Sequence, residues 1–268
     1  MTKTGAFLLA LAALAAAFPR PAPANEPDLQ RTEERPDAEQ LVRYFETIVF
    51  GSEFKGVNAF TSIRKWTRPL RVVVREYGEV VTPLAGGRVS RRLEAEPVSK
   101  QHLDYVQRHL NTLADLTGLK TQDARKTRWP ANFTINFVPP LQLANPELAD
   151  VPGGILQRLA AQGGCYFLIW PDDSGETLQK AVIVVNKGRT PDRTAHCVLE
   201  EMTQSLGLPN DSNPAWPSIF ANSGAIQQLS WADRILVRTL YDPRMKPGLA
   251  RADALELART IISELIAK

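Results

Sequence analysis

The segment Glu200-Glu201-Met202-Thr203-Gln204-Ser205-Leu206-Gly207-Leu208-Pro209-Asn210-Asp211 constrains this chain more than any other part of it. Its first half is patterned as the end of a helix over residues 193–206, with Thr194 as a cap, and Glu200 and Gln204 fall one turn apart on one side. Gly207 supplies the C-cap that lets the chain leave the helix, and Pro209 completes the stop. Glu201 and Gly207 therefore frame a helix and turn that present Glu200, Gln204 and Asn210 at a fixed spacing. Asp211 adds a carboxylate if the turn aims it inward.

The remaining elements alternate around this helix. Pro36 suits the first turn of a helix over residues 36–49, in which Leu41, Tyr44, Phe45 and Ile48 recur at helical spacing. Residues 70–77 and 80–84 read as strands flanking Gly78, and Gly86-Gly87 turns the chain into a strand over residues 88–93. Ser99 caps a helix through Leu116 whose face is Leu103, Val106, Leu110 and Leu113, and Gly118 stops it. Residues 132–138 alternate as a half-buried strand. Residues 165–170 and 180–186 form a hairpin across a connection of five residues, Pro171-Asp172-Asp173-Ser174-Gly175. Residues 229–240 and 252–266 are amphipathic helices.

The first two dozen residues have the form of a secretory signal: Lys3, an apolar run from Phe7 to Phe18, and a small-residue cleavage site at Ala22-Pro23-Ala24. The run is short for a bilayer span, and Pro19, Pro21 and Pro23 end it. The expected organisation is a signal peptide over residues 1–24, a polar leader over residues 25–35 and one domain over residues 36–268, exported to the periplasm or secreted. The formal charge of +3 loses Lys3 and Arg20 and becomes +1, which favours neither nucleic acid nor a membrane surface as partner. Cys165 and Cys197 are the only cysteines. In an exported chain, such a pair is expected to be bridged.

The spacing E-E-x-x-Q-x-x-G-x-x-N resembles the metzincin pattern H-E-x-x-H-x-x-G-x-x-H, with Glu200, Gln204 and Asn210 at the ligand positions. Pro217-Ser218-Ile219-Phe220 follows at the distance of the metzincin Met-containing turn, with Phe220 in the place of the Met. Together with the strings at residues 229–233 and 240–244, these residues resemble an uncharacterised family of proteobacterial exported proteins, itself similar to metzincin-type zincins. The resemblance covers roughly residues 70–248. It implies an α+β, zincin-like fold: a mixed sheet, a long covering helix, the motif helix and a helical C-terminal part.

The replacements carry the chemistry. Zinc in an open catalytic site favours neutral imidazole nitrogens, often with one carboxylate, whereas one carboxylate and two amides suit a hard cation such as calcium better. No zinc is expected. Glu200 and Glu201 point about a quarter-turn apart and do not face each other as an acid and base pair. Gln204 reads equally as a hydrogen-bonded core amide. His102 and His109 read as solvated or rim positions, and His196 as a helix-start histidine paired with a carboxylate or, in the alternative, as a displaced ligand near the cleft. Trp216 and Phe220 wall a groove or plug the edge of the core. The expected function is therefore an exported pseudo-peptidase that binds an envelope peptide, protein or glycan in a relict cleft. The alternative is a hydrolase using Glu201 with an atypical metal or a second carboxylate.

Overall fold

The computed structural model describes residues 35–51, 59–152, 154–161, 164–214, 216–221 and 226–267. The expected signal peptide and nearly all of the expected leader lie outside them. Residues 35–268 form one compact unit.

The centre, among the described residues, is a mixed sheet of seven strands. Three parallel strands make its middle: β2 (Leu70–Pro83), β5 (Phe133–Val138) and β7 (Thr177–Asn186). Their registers run from Val72↔Phe133 to Glu76↔Phe137 and from Phe133↔Ala181 to Val138↔Asn186. A parallel sheet is covered on both faces, which is why Ala181-Val182-Ile183-Val184-Val185 is apolar without alternation and buried throughout. Antiparallel strands close the two sides, β6 (Cys165–Pro171) on β7 and β3 (Val89–Glu96) on β2. Two short parallel pieces complete the sheet: β1 (Lys65–Trp66) beside β7 and β4 (Thr121–Asp123) beside β2.

Helices α1 (Ala38–Phe50), α2 (Lys100–Thr117), α4 (Pro191–Gln204), α5 (Trp231–Tyr241) and α6 (Arg251–Ile266) cover one face. Their apolar stripes meet Phe133, Ile135, Phe137, Phe167, Ala181, Ile183 and Val185 in the main core. The opposite face, with Tyr166, Val182 and Val184, is covered by α3 (Ile155–Ala160) and the turns at Pro140–Gln142 and Pro146–Leu148. α1 packs on α6, and Glu39–Arg259 and Glu46–Arg251 pair across them at 2.8 and 2.6 Å.

Several local expectations need correction. α1 is capped by Asp37, whose side chain accepts from the Gln40 N–H in a reciprocal capping box, so Pro36 stands outside the helix. β2 runs unbroken through Gly78, where a Cβ would overlap Glu96 Oε1; the glycine makes room for a cross-strand side chain and does not break the strand. α4 begins at Pro191 behind Thr190, not at Thr194, and its C-cap is Ser205. Gly207 lies two residues beyond, at φ 112°, with the Arg64 carbonyl oxygen inside the space that a Cβ would take. The hairpin of β6 and β7 is present, and its connection of five residues is Asp172 to Glu176.

Candidate functional site

α4 lies on β6 and β7 and against α2. Cys197 on its buried side is bonded to Cys165 at the start of β6, with the Cα atoms 5.9 Å apart. The next turn brings Glu200 and Glu201 to the same place, and a carboxylate oxygen of each lies within 4.8 Å of the other and of Cys165 Sγ. Both glutamates thus turn inward, Glu201 being buried and Glu200 half-buried, although neither was expected to face the other. His196 Nδ1 is 2.8 Å from the Ile226 carbonyl oxygen, so it donates there and leaves Nε2 3.4 Å from Glu200 Oε2. Burial is the main cause that holds this imidazole below its ordinary pKa. The expected carboxylate partner of His196 is Glu200.

The other motif positions do not converge on that place. Gln204, fully buried, donates from Nε2 to Asp211 Oδ1 at 2.5 Å. Asn210 faces α1 instead: its Nδ2 donates to the Thr47 carbonyl at 3.0 Å, and its N–H to the Ile48 carbonyl at 3.2 Å. These are carbonyls at the end of α1, so Asn210 caps a distant helix from outside. Phe220 is buried in the main core and is no cleft wall. Trp216 packs edge-on against Tyr44 with the ring centres 5.3 Å apart, at the margin of that core.

Burial raises the Asp211 carboxyl from its ordinary 3.8 to about 6. A carboxyl with a raised folded pKa holds its proton more tightly folded than unfolded. Its stabilisation is complete below the unfolded pKa and is lost as pH rises through about 6. Asp211→Asn keeps an acceptor for Gln204 and removes the titration. Relative to the wild type, the variant should therefore gain on the order of 2 kcal/mol in denaturant unfolding between about pH 4 and pH 8.

The two α2 histidines are not at a rim. His102 stacks on Phe137 with ring centres 3.9 Å apart and lies 2.9 Å from Glu76 Oε2. His109 is buried against α4, where desolvation lowers its pKa to about 4. The histidine pattern alone does not carry this, because the apolar stripe of α2 is wider than its leucines and valines.

The roles of two groups of residues were not read from the sequence. Asp233, fully buried at the first turn of α5, accepts from Ser218 Oγ at 2.6 Å and from the N–H groups of Ile219 and Ser230 at 3.0 Å each. Ser218 Oγ in turn accepts from Tyr44 Oη at 3.0 Å. The usable signal was Ser230-x-x-Asp233, a capping-box spacing. The second group holds the ends of α4 and α5. Trp66 Nε1 donates to the Ser205 carbonyl at 2.9 Å, Tyr241 Oη to the Leu206 carbonyl at 2.8 Å, and Lys65 Nζ to the Leu240 carbonyl at 2.9 Å.

A separate concavity opens beside β2. β4 pairs with Leu70 to Val72 and β3 with Glu76 to Pro83, both on the side away from β5. Among the described residues, no strand pairs with Val73, Val74 and Arg75 on that side. A cavity of about 460 Å³ lies at this break, between β2, β4 and α2. Val72, Val74, Val106 and Leu110 give it an apolar floor, and Leu103, Asp104, Gln107, Gln122 and Arg125 ring it.

The sequence profile of a family described as a protein of unknown function (DUF2927) matches residues 38–260. No curated protein and no solved structure matches the chain.

Proposed function

The chain belongs to the DUF2927 family, and we propose that it is an exported, zincin-like pseudo-peptidase that binds an extended peptide segment without cleaving it. The observation that carries the reading is the break in the sheet edge at Val73, Val74 and Arg75, opening on an apolar cavity. A strand edge offers main-chain donors and acceptors to an extended chain, and the cavity takes one of its side chains. The motif positions support the loss of catalysis. Gln204 and Asn210 are engaged in bonds that hold the fold, and they offer amide oxygens that bind zinc poorly. The binding surface in this reading is therefore the α2 side of β2, not the relict ligand positions.

Panning a random peptide library on the wild-type protein and titrating the enriched peptides tests this. Leu103 is exposed at the cavity rim, and Leu103→Glu should weaken those peptides by about tenfold or more while melting stays unchanged. The bound peptides should be recovered intact. Equal binding by the variant would rule out this surface, and cleavage that is lost in Glu201→Gln would favour a hydrolase.

A further inference from the structure

The sequence His196-Cys197-x-x-Glu200-Glu201 places Cys197 at position i and the two glutamates at i+3 and i+4, on one side of α4. β6 adds Cys165 from the sheet. The result is a mixed set of donors: two sulfurs, two carboxylates and an imidazole. Cys165 Sγ and an oxygen of each glutamate lie within 4.8 Å of one another, and His196 Nε2 is 3.4 Å from Glu200 Oε2. The set takes Glu200 and Glu201 from the motif and leaves out Gln204 and Asn210.

Sulfur bonded in a cystine carries no charge and is a poor ligand, whereas thiolate with carboxylate suits a borderline cation. We propose that reduction of Cys165–Cys197 turns this cluster into a zinc site. Cys165, Cys197, Glu200 and Glu201 are its ligands, and His196 orients Glu200. The cystine is the closed form of the site. An external dithiol opens it: the S–S bond takes up two electrons and two protons, and the dithiol leaves as its own disulfide. Zinc then displaces both thiol protons. Ligands about 2.0 to 2.3 Å from a tetrahedral zinc lie roughly 3.3 to 3.8 Å apart, so the carboxylates must close on Cys165 by up to about 1 Å, while the two sulfurs, at bonding distance in the cystine, must part by roughly 2 Å. Release of the two sulfurs gives them that freedom.

The probes are zinc itself and cobalt as its coloured substitute, titrated into the full chain with the disulfide intact and after reduction. Reduced protein should take up one equivalent of zinc, and with cobalt it should show thiolate-to-metal absorption. Oxidised protein should do neither. Glu201→Gln and Glu200→Gln should each weaken zinc binding to reduced protein by about tenfold or more, and the Cys165→Ser, Cys197→Ser double variant should abolish it. If reduction loosens the fold, zinc must restore the native circular dichroism in the wild type, and less effectively in the glutamate variants. Equal zinc uptake by oxidised and reduced protein, failure of zinc to restore a loosened fold, or full affinity in both glutamate variants would each overturn the proposal.

Discussion

Replacing Asp233 by alanine is expected to destabilise the protein by about 3 to 5 kcal/mol, since it removes the acceptor at the centre of a buried network. Three donors lose their partner at once: Ser218 Oγ and the N–H groups of Ile219 and Ser230. Ser218 and Ile219 cannot turn to water instead, because both are fully buried. Burial also pushes the Asp233 carboxyl up, while bonds from Ser218, Ile219 and Ser230 pull it down. The donors thus offset part of the desolvation, and the carboxyl stays raised. Asp233→Asn keeps one acceptor oxygen and should cost less than half as much. In a thermal scan the alanine variant should melt roughly 10 °C below the wild type. A drop of only a degree or two would mean that the segment at Ser218 is held by packing alone.

Gly207→Ala should cost about 3 kcal/mol or more. Two penalties act together: a φ of 112° that residues with a side chain rarely adopt, and a Cβ driven into the Arg64 carbonyl oxygen. The oxygen belongs to backbone next to Lys65, which holds the Leu240 carbonyl of α5, and Trp66, which holds the Ser205 carbonyl at the end of α4, so it has little room to retreat. Gly118, the αL cap of α2, separates the two penalties. Its φ is 71°, and a Cβ added there would meet no atom within 4 Å. Gly118→Ala should therefore cost only about 1 kcal/mol. Equal losses at the two glycines would show that backbone strain, not the contact with Arg64, makes Gly207 necessary.

The elements with strong periodicity were legible in the sequence. The stripe of α1, that of α2 apart from the exposed Leu103, the hairpin of β6 and β7, and the pairing of Cys165 with Cys197 all follow from local spacing or from counting. β1 and β4 were not, because strands of two or three residues carry no period and exist through their partners β7 and β2. The motif was legible as a helix and a turn, yet not as a site. Where the chain goes after Gly207 depends on Arg64 and on the end of α1, both distant in sequence. Asn210 consequently ends on Thr47 and not beside Glu200. The cavity at β2 was hidden for a similar reason: it comes from the gap between two strands that pair with the same neighbour.

The packing of α1 on α6, with Glu39 opposite Arg259 and Glu46 opposite Arg251, has a kinetic consequence. The earliest described helix rests on the last one, and β2, β5 and β7 are parallel neighbours whose connections are long. A chain delivered from its N-terminal side has no place to bury Leu41, Phe45 and Ile48 fully until α6 has emerged. Contacts this far apart in sequence are expected to make folding slower than in a chain held by local contacts, with the packing of α1 forming only after α6 is available.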